Sequence, residues 1–182
     1  SAKPHILAWA SFKPTHSSPK FKIQAIESND TLSFNVMNLD SQNMQYNIEI
    51  GYFDPLPDDI KPDIIIGDFN FDGYLDFAYQ SCSGATGNDS YWYFLYSPAL
   101  EKFEYSTDFS EKLCSPQFFP KTKTIFCWAN GGARGMCHSA HSYFVNGSKL
   151  ELTWREYQYY DDSAPSNIVR FIQEQYKVVN GK

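Results

Sequence analysis

Short runs in which apolar and polar residues alternate follow one another along most of the chain. FKIQAIE (21–27), TLSFNVMNLD (31–40) and MQYNIEIGYF (44–53) show a rough period of two, and the breaks between them fall at Asn, Asp, Gly or Pro. That period places alternate side chains on one face of a pleated strand, so each run reads as a half-buried β-strand. DIIIG (63–67), YLDFAYQ (74–80), SYWYFLYSP (90–98), KTKTIFCWA (121–129), CHSAHSYFVNG (137–147) and KLELTWREYQYY (149–160) extend the series. Asn146-Gly147 joins the last two, and this dipeptide is the strongest short-range hairpin signal. KFEYSTDFSEKL (102–113) predicts a strand followed by one short helical turn. In NIVRFIQEQYKVV (167–179) the β-branched residues favour a strand, while the central RFIQEQ would tolerate a helix.

Between these runs lie the punctuators. DPLPDDIKPD (54–63) holds three prolines and reads as a loop, and SCSGATGND (81–89) is a turn cluster. Residues 1–19 carry Pro4, Pro14 and Pro19 and read as a loosely ordered lead-in around one short apolar run. No internal repeat of fixed period is present. The pattern therefore predicts a single all-β domain over 1–182, a small propeller-like or sandwich-like arrangement of antiparallel strands.

Composition sharpens this picture. The chain has 182 residues, enough to bury one substantial core, and 18 % are aromatic, which suits pleated, half-buried surfaces. A net charge of −6 and a pI near 5.1 argue against nucleic acid or an anionic membrane surface as partner and leave a basic protein open. No apolar run is long enough for a membrane-spanning helix. The chain begins SAKPHILAWASF, without an initiator Met or an apolar signal region. It reads as a mature form whose export signal has gone, hence periplasmic or secreted.

Cysteine usage points the same way. Cys82, Cys114, Cys127 and Cys137 contain no C-x-x-C pair, and an even count in a loop-rich β protein suits two disulfides in an oxidising compartment. Cys127 and Cys137 flank a Gly-rich turn as two hairpin strands would, leaving Cys82 with Cys114 by elimination. Three connectivities are formally open.

The most informative stretch is IIIGDFNFDGYLDFAY (64–79), where an acidic turn separates two hydrophobic runs. Residues 68–76 match positions 1, 3, 5, 6 and 9 of an EF-hand-type loop, D-x-N-x-D-G-x-x-D. Asp68, Asn70 and Asp72 would give side-chain oxygens, Tyr74 its backbone carbonyl, and Asp76 a direct or water-mediated contact to Ca2+. Gly73 allows the positive-φ bend. Tyr79 stands where an EF-hand has its bidentate Glu, and the flanks are β-like, so this is a calcium loop set between strands. Like charges held close repel, and a bound cation removes that cost.

The wider segment adds S-G-x-x-G-N (83–88), SYWYFLY and K-F-x-Y (102–105) to the loop. In this order it resembles bacterial periplasmic calcium-loop proteins of the FG-GAP or VCBS-like type that inhibit lysozyme-like peptidoglycan hydrolases. Some of these act as immunity proteins against effectors injected by a rival or sister cell. The resemblance covers residues 63 to about 155. It implies a small propeller-like all-β fold, calcium ligands at Asp68, Asn70, Asp72, Tyr74 and Asp76, and a loop residue that enters the hydrolase cleft. WANGGARGM (128–136) is the candidate loop, with Arg134 as the plug and Trp128, His138 and Tyr143 as flanking contacts. Arginine suits a carboxylate-lined cleft because it pairs bidentately with a carboxylate.

Other constellations carry less. His138 and His141, three apart on a strand, point to opposite faces and share no zinc. Glu151 and Glu156, five apart, would likewise fall on opposite faces of one strand, which argues against a glycosidase pair. Asp161-Asp162 reads as a turn, and Asn29, Asn88 and Asn146 begin N-x-S/T acceptors. No nucleophile elbow, zinc-protease helix or phosphate-binding glycine loop is present, so a non-enzymatic protein is expected. The expected function is a calcium-stabilised inhibitor or immunity protein that blocks a cell-wall hydrolase or similar toxin. The alternative is a calcium-dependent adhesion or glycan-binding module, since exposed Trp and Tyr also suit sugar stacking.

Overall fold

The computed structural model describes residues 4–41, 45–52, 63–84, 86–166 and 168–178. The fold is all-β. Strands β1 (His5–Phe12), β2 (Phe21–Ser28), β3 (Thr31–Asn38) and β4 (Gln45–Tyr52) form one antiparallel sheet in that order. A second sheet holds β5 (Ile64–Gly67), β6 (Asp76–Ser83), β7 (Asp89–Ser97) and β8 (Lys102–Tyr105). After the short helix α1 (Thr107–Lys112), β9 (Pro116–Phe119), β10 (Thr124–Gly132), β11 (Cys137–Asn146), β12 (Lys149–Tyr160) and β13 (Phe171–Lys177) make the third. The chain groups into two compact units, Ser1–Ser81 with Trp92–Ser106, and Cys82–Tyr91 with Thr107–Lys182. The Pro-rich stretch expected as a loop at 54–63 lies outside the described residues except for Asp63.

Two segments differ from the sequence expectation. Within the lead-in 1–19, β1 pairs with β2 from His5↔Glu27 to Phe12↔Phe21. A register shift between Ile6 and Ala8 breaks the alternation there, and that shift hides the strand from a period-two search. The ambiguous run at 167–179 resolves as β13, because pairing along β12 from Tyr160↔Phe171 to Trp154↔Lys177 supplies its backbone partners.

In the first unit the two four-stranded sheets face each other across an aromatic core. Phe21, Ile23 and Ala25 of β2 and Leu32, Phe34 and Val36 of β3 are fully buried, each set at period two. Phe34 sits 4.6 Å from Phe94, 5.3 Å from Tyr79 and 5.7 Å from Phe77, ring centroid to centroid. Phe103 meets Phe21 and Phe12 edge-on at 5.2 Å and 5.5 Å. Such pairs add about 0.5–1.5 kcal/mol each beyond the area they bury. Asp76, Phe77, Ala78 and Tyr79 are all buried, so β6 is covered on both faces.

The five-stranded sheet of the second unit has two unlike faces. Ile125, Cys127, Tyr143, Val145 and Leu150 are buried on one. On α1, Asp108 accepts from the Leu150 amide at 2.6 Å and pairs with Lys112 at 2.6 Å, holding the helix to β12. Phe126, Trp128, His138, Trp154 and Glu156 stand on the other face, as their cross-strand partners require.

The register on β12 slips between Ser142↔Trp154 and Tyr143↔Leu152, leaving Thr153 as a bulge. This extra residue inverts the side-chain alternation. Glu151, opposite Phe144, and Glu156, opposite Ala140, therefore share a face, contrary to the simple five-residue offset. Four ladder positions still separate them, about 13 Å, beyond the carboxylate spacing of either glycosidase geometry.

The expected disulfides are not formed: Cys82, Cys114, Cys127 and Cys137 are all free thiols. Cys127 stands opposite His141 and Cys137 opposite Gly132. Four strand residues lie between those positions, a gap of about 13 Å against a limit near 7 Å between bridged Cα atoms. The hairpin is longer than its glycines suggest, which is why flanking the turn does not bring the two sulfurs together. Cys127 instead neighbours Cys114, whose backbone its thiol hydrogen-bonds, and burial pushes its pKa up to about 11. Non-reducing peptide mapping of the folded protein is expected to yield no Cys127–Cys137 linked peptide; finding one would mean that the hairpin register is wrong.

Candidate functional site

The acidic turn closes the β5–β6 hairpin above the pair Gly67↔Asp76. Its carboxylates wrap the turn's own backbone. The Asp72 amide donates to Asp68 Oδ1 at 3.1 Å and to Asn70 Oδ1 at 3.3 Å, and the Gly73 amide donates to Asp68 Oδ2 at 3.0 Å. Tyr74 donates its amide to Asp72 Oδ1 at 2.9 Å. Phe71 and Gly73 both adopt positive φ, 59° and 92°, within the turn that reverses the chain between β5 and β6. Gly67 allows a close approach, since a Cβ there would meet the Phe69 ring at 3.1 Å and the ring would have to shift.

Asp76 differs from its neighbours. It is fully buried, and its two oxygens accept from the Phe69 amide at 2.9 Å and the Tyr96 amide at 2.8 Å. It thus ties the turn to β7. Burial pushes its carboxyl up to about 7, the two amides pull against that shift, and Asp72 and Asp68 add to it through their charges.

As a cation site, the turn matches in donor type: Asp68 and Asn70 oxygens converge on one amide, and all-oxygen donors are what Ca2+ takes. Among the described residues, however, no three His, Cys, Asp or Glu side chains are gathered as a metal group. Asp68 and Asp72 stand at the rim with the Tyr74 backbone beside them, buried Asn70 donates its side-chain amide to Asp72 Oδ2 at 2.9 Å, and Asp76 is directed inward.

In the second unit, the β10–β11 turn carries Arg134. Gly132, Ala133, Arg134 and Gly135 all have positive φ, at 108°, 51°, 56° and 85°. Left-handed backbone costs about 1–2 kcal/mol at each non-glycine residue, so this conformation has to be imposed by its surroundings. The supports are visible. Asn130 Oδ1 accepts from the Gly132 amide at 2.9 Å, and Gln158 donates to the Met136 carbonyl at 2.7 Å. His138 Nδ1 lies 3.0 Å from the Gly135 carbonyl oxygen, and its Nε2 lies 2.9 Å from Glu156 Oε1. Both partners are acceptors, so the neutral ring serves only one of them and the imidazolium serves both. Gln175 donates to the other Glu156 oxygen.

Arg134 itself is exposed, and among the described residues it has no ion-pair partner. Trp128, 38 % exposed, stacks on His138 at 4.0 Å with 22° between the rings. Three of the four expected partner contacts, Arg134, Trp128 and His138, therefore belong to one supported turn. Tyr143 does not join them. It is 7 % exposed and lies beside His141 at 6.1 Å on the opposite face, since Tyr143 pairs with Ile125 while Trp128 pairs with Ala140. His141 bonds the Tyr157 hydroxyl at 3.2 Å, and burial, with Arg155 nearby, lowers its pKa. The two histidines face apart, as their spacing predicts. Asp161 pairs with Arg170 and Ser163, which makes its segment a closed turn.

Sequence reasoning weighed Glu156 only as a glycosidase carboxylate and missed its place beneath the turn, together with Gln175 and the tie of the Asn88 side chain to the Asn130 backbone. Asn88 Nδ2 donates to the Asn130 carbonyl at 2.9 Å, and the Asn130 amide returns to Asn88 Oδ1 at 2.8 Å. Both asparagines lie in turn clusters, but nothing in the spacing shows that the two clusters meet.

No protein family model matches the chain, and no curated protein matches it. Among solved structures, the chain is similar to one from Xanthomonas described as "Structure of a Xanthomonas Type IV Secretion System related protein". The TM-score is 0.54 at 16 % identity, covering 100 % of this chain and 97 % of that one. At that identity the likeness speaks for the fold.

Asp76→Ala leaves two buried amides without acceptors, at about 1–3 kcal/mol each, so urea unfolding is expected to show a loss of about 2–6 kcal/mol. Its rim neighbour Asp68→Ala, assayed with chelator present, is expected to lose about 1 kcal/mol or less. The pH dependence of Glu156 has a definite sign. The His138 bond holds its carboxyl below the ordinary range. Its stabilisation is therefore present above that range and is lost as the pH falls through the lowered value. Glu156→Gln is expected to unfold more readily at neutral pH and to show a flatter acid limb; an unchanged acid limb would remove Glu156 from the turn's support.

Proposed function

We propose that this protein is a calcium-stabilised inhibitor or immunity protein of the cell envelope. It presents the β10–β11 turn to the cleft of a secreted peptidoglycan hydrolase or similar toxin. The observation that carries this reading is the state of Arg134: exposed, without an ion-pair partner among the described residues, and held on a left-handed turn. A charged fork fixed in advance loses little freedom on docking, and it meets a carboxylate-lined cleft bidentately. His138 and Trp128 brace the turn from behind and border the contact, and Tyr143 serves the sheet's packing instead.

The acidic turn fits the same role as a brace for the first unit. Ca2+ held by Asp68, Asn70 and Asp72, with the Tyr74 carbonyl, would neutralise charge that otherwise crowds above buried Asp76. The described likeness to a type IV secretion system related protein is in keeping with a protein-binding role in the cell envelope. Nothing in the described helices is long and apolar enough to cross a membrane.

Two measurements test this proposal. In a turbidity assay with peptidoglycan and a hydrolase encoded beside this gene, the wild-type protein is expected to inhibit stoichiometrically. Arg134→Ala is expected to weaken inhibition by about 10- to 100-fold, the worth of one buried charged contact of about 1.5–3 kcal/mol. Undiminished inhibition by the variant would take Arg134 out of the contact. Separately, Ca2+ at 100 times its dissociation constant adds about 2.7 kcal/mol of stability, so melting in calcium is expected to exceed melting in EGTA by several degrees. Identical melting curves would remove the ion from the account.

A further inference from the structure

We propose that the open cavity beside Trp128 in the second unit is a binding site for a neutral saccharide, which lays one pyranose face on the indole and turns its hydroxyls to the surrounding rim. The cavity has a volume near 450 Å³, within the range of small-molecule sites. Thr86, Asn88, Ser115, Gln117, Phe126 and Trp128 line it, and among the described residues none of the lining carries a formal charge. That absence selects the ligand class. A phosphate or carboxylate ligand needs a cation or a cluster of aimed amides to offset its desolvation, and the lining offers no cation. A wholly apolar ligand would cover the hydroxyls and amides without satisfying them. A sugar presents both surfaces at once: a flat face of C–H groups and an edge of donors and acceptors.

The platform is fixed in advance. The Trp128 ring rests on His138, whose two nitrogens lie within hydrogen-bond distance of the Gly135 carbonyl and of Glu156. An aromatic ring that is already immobile loses little entropy when a ligand stacks on it. The wall is fixed as well, because the Asn88 side chain bonds both the carbonyl and the amide of Asn130, and the Asn130 side chain donates to the Thr86 carbonyl at 3.3 Å.

The rim retains hydrogen-bonding capacity. Ser115 Oγ accepts from the Asp89 amide at 3.0 Å, which leaves its own hydrogen to give. Gln117 is exposed on the edge strand β9, and its side chain makes no hydrogen bond among the described residues. None of the acidic-turn residues lines this cavity, so binding does not depend on calcium.

The test is isothermal titration of the full chain with maltotriose, cellotriose and chitotriose, each up to about 20 mM, to reach affinities in the millimolar range. At least one trisaccharide is expected to bind and to shift tryptophan fluorescence, equally in calcium and in EGTA. Trp128→Ala is expected to weaken that binding at least tenfold. Gln117→Ala, on an exposed edge and with an unchanged melting curve, is expected to weaken it about three- to tenfold, the loss of one hydrogen bond. Absence of binding by all three sugars, binding undiminished in both variants, or binding abolished by chelator would each overturn the assignment.

Discussion

A single buried carboxylate organises the first unit. Asp76 sits at the end of β6, where the chain leaves the acidic turn, and it accepts one amide from that turn and one from β7. Removing an ionisable group from water is expensive, and the two amides offset only part of that cost. The turn above it is consequently under electrostatic load, with Asp68 and Asp72 both close enough to raise the Asp76 carboxyl. The aromatic core below can be continuous because this one side chain satisfies the amides where hairpin and sheet meet. Phe77, the next residue on β6, and Phe94, two before Tyr96 on β7, stack at 4.4 Å.

The second unit solves a different problem with the same chemistry. Here Glu156 anchors a long hairpin turn through His138, and the backbone of Ala133 and Arg134 is held where L-residues rarely go. In both units a carboxylate with low exposure fixes a loop, and the loop carries the exposed chemistry. Rigid strands with polar anchors beneath the turns are a common way to present recognition residues without leaving them mobile.

Much of the fold was legible because the hydrophobic period of two survives in β2, β3 and β11, where one face is buried and the other is not. Asn146-Gly147 marked the β11–β12 turn for a local reason, namely the positive φ of Gly147. The failures share a cause too. β1 was hidden by a register shift, and the Glu151–Glu156 relation was inverted by the Thr153 bulge, because one extra residue reverses every later side chain. The cysteine pairing failed on strand length, which turn glycines do not encode. Arg134, Trp128 and His138 lie on or beside one turn, as their neighbourhood in sequence implies, whereas side-chain parity along β11 puts Tyr143 on the opposite face. Glu156, Gln175 and Asn88 were out of reach, since they meet the turn only through pairing between distant segments.

The left-handed crown at Ala133 and Arg134 also limits what evolution can write there. β-Branched residues are excluded by their own Cβ substituents, while Asn, Asp, Lys and Gly fit that geometry at modest expense. The crown can therefore exchange its charge or lose it while the strands beneath stay unaltered. A change of side chain at the crown thus alters what the turn exposes without any change in the length of the loop.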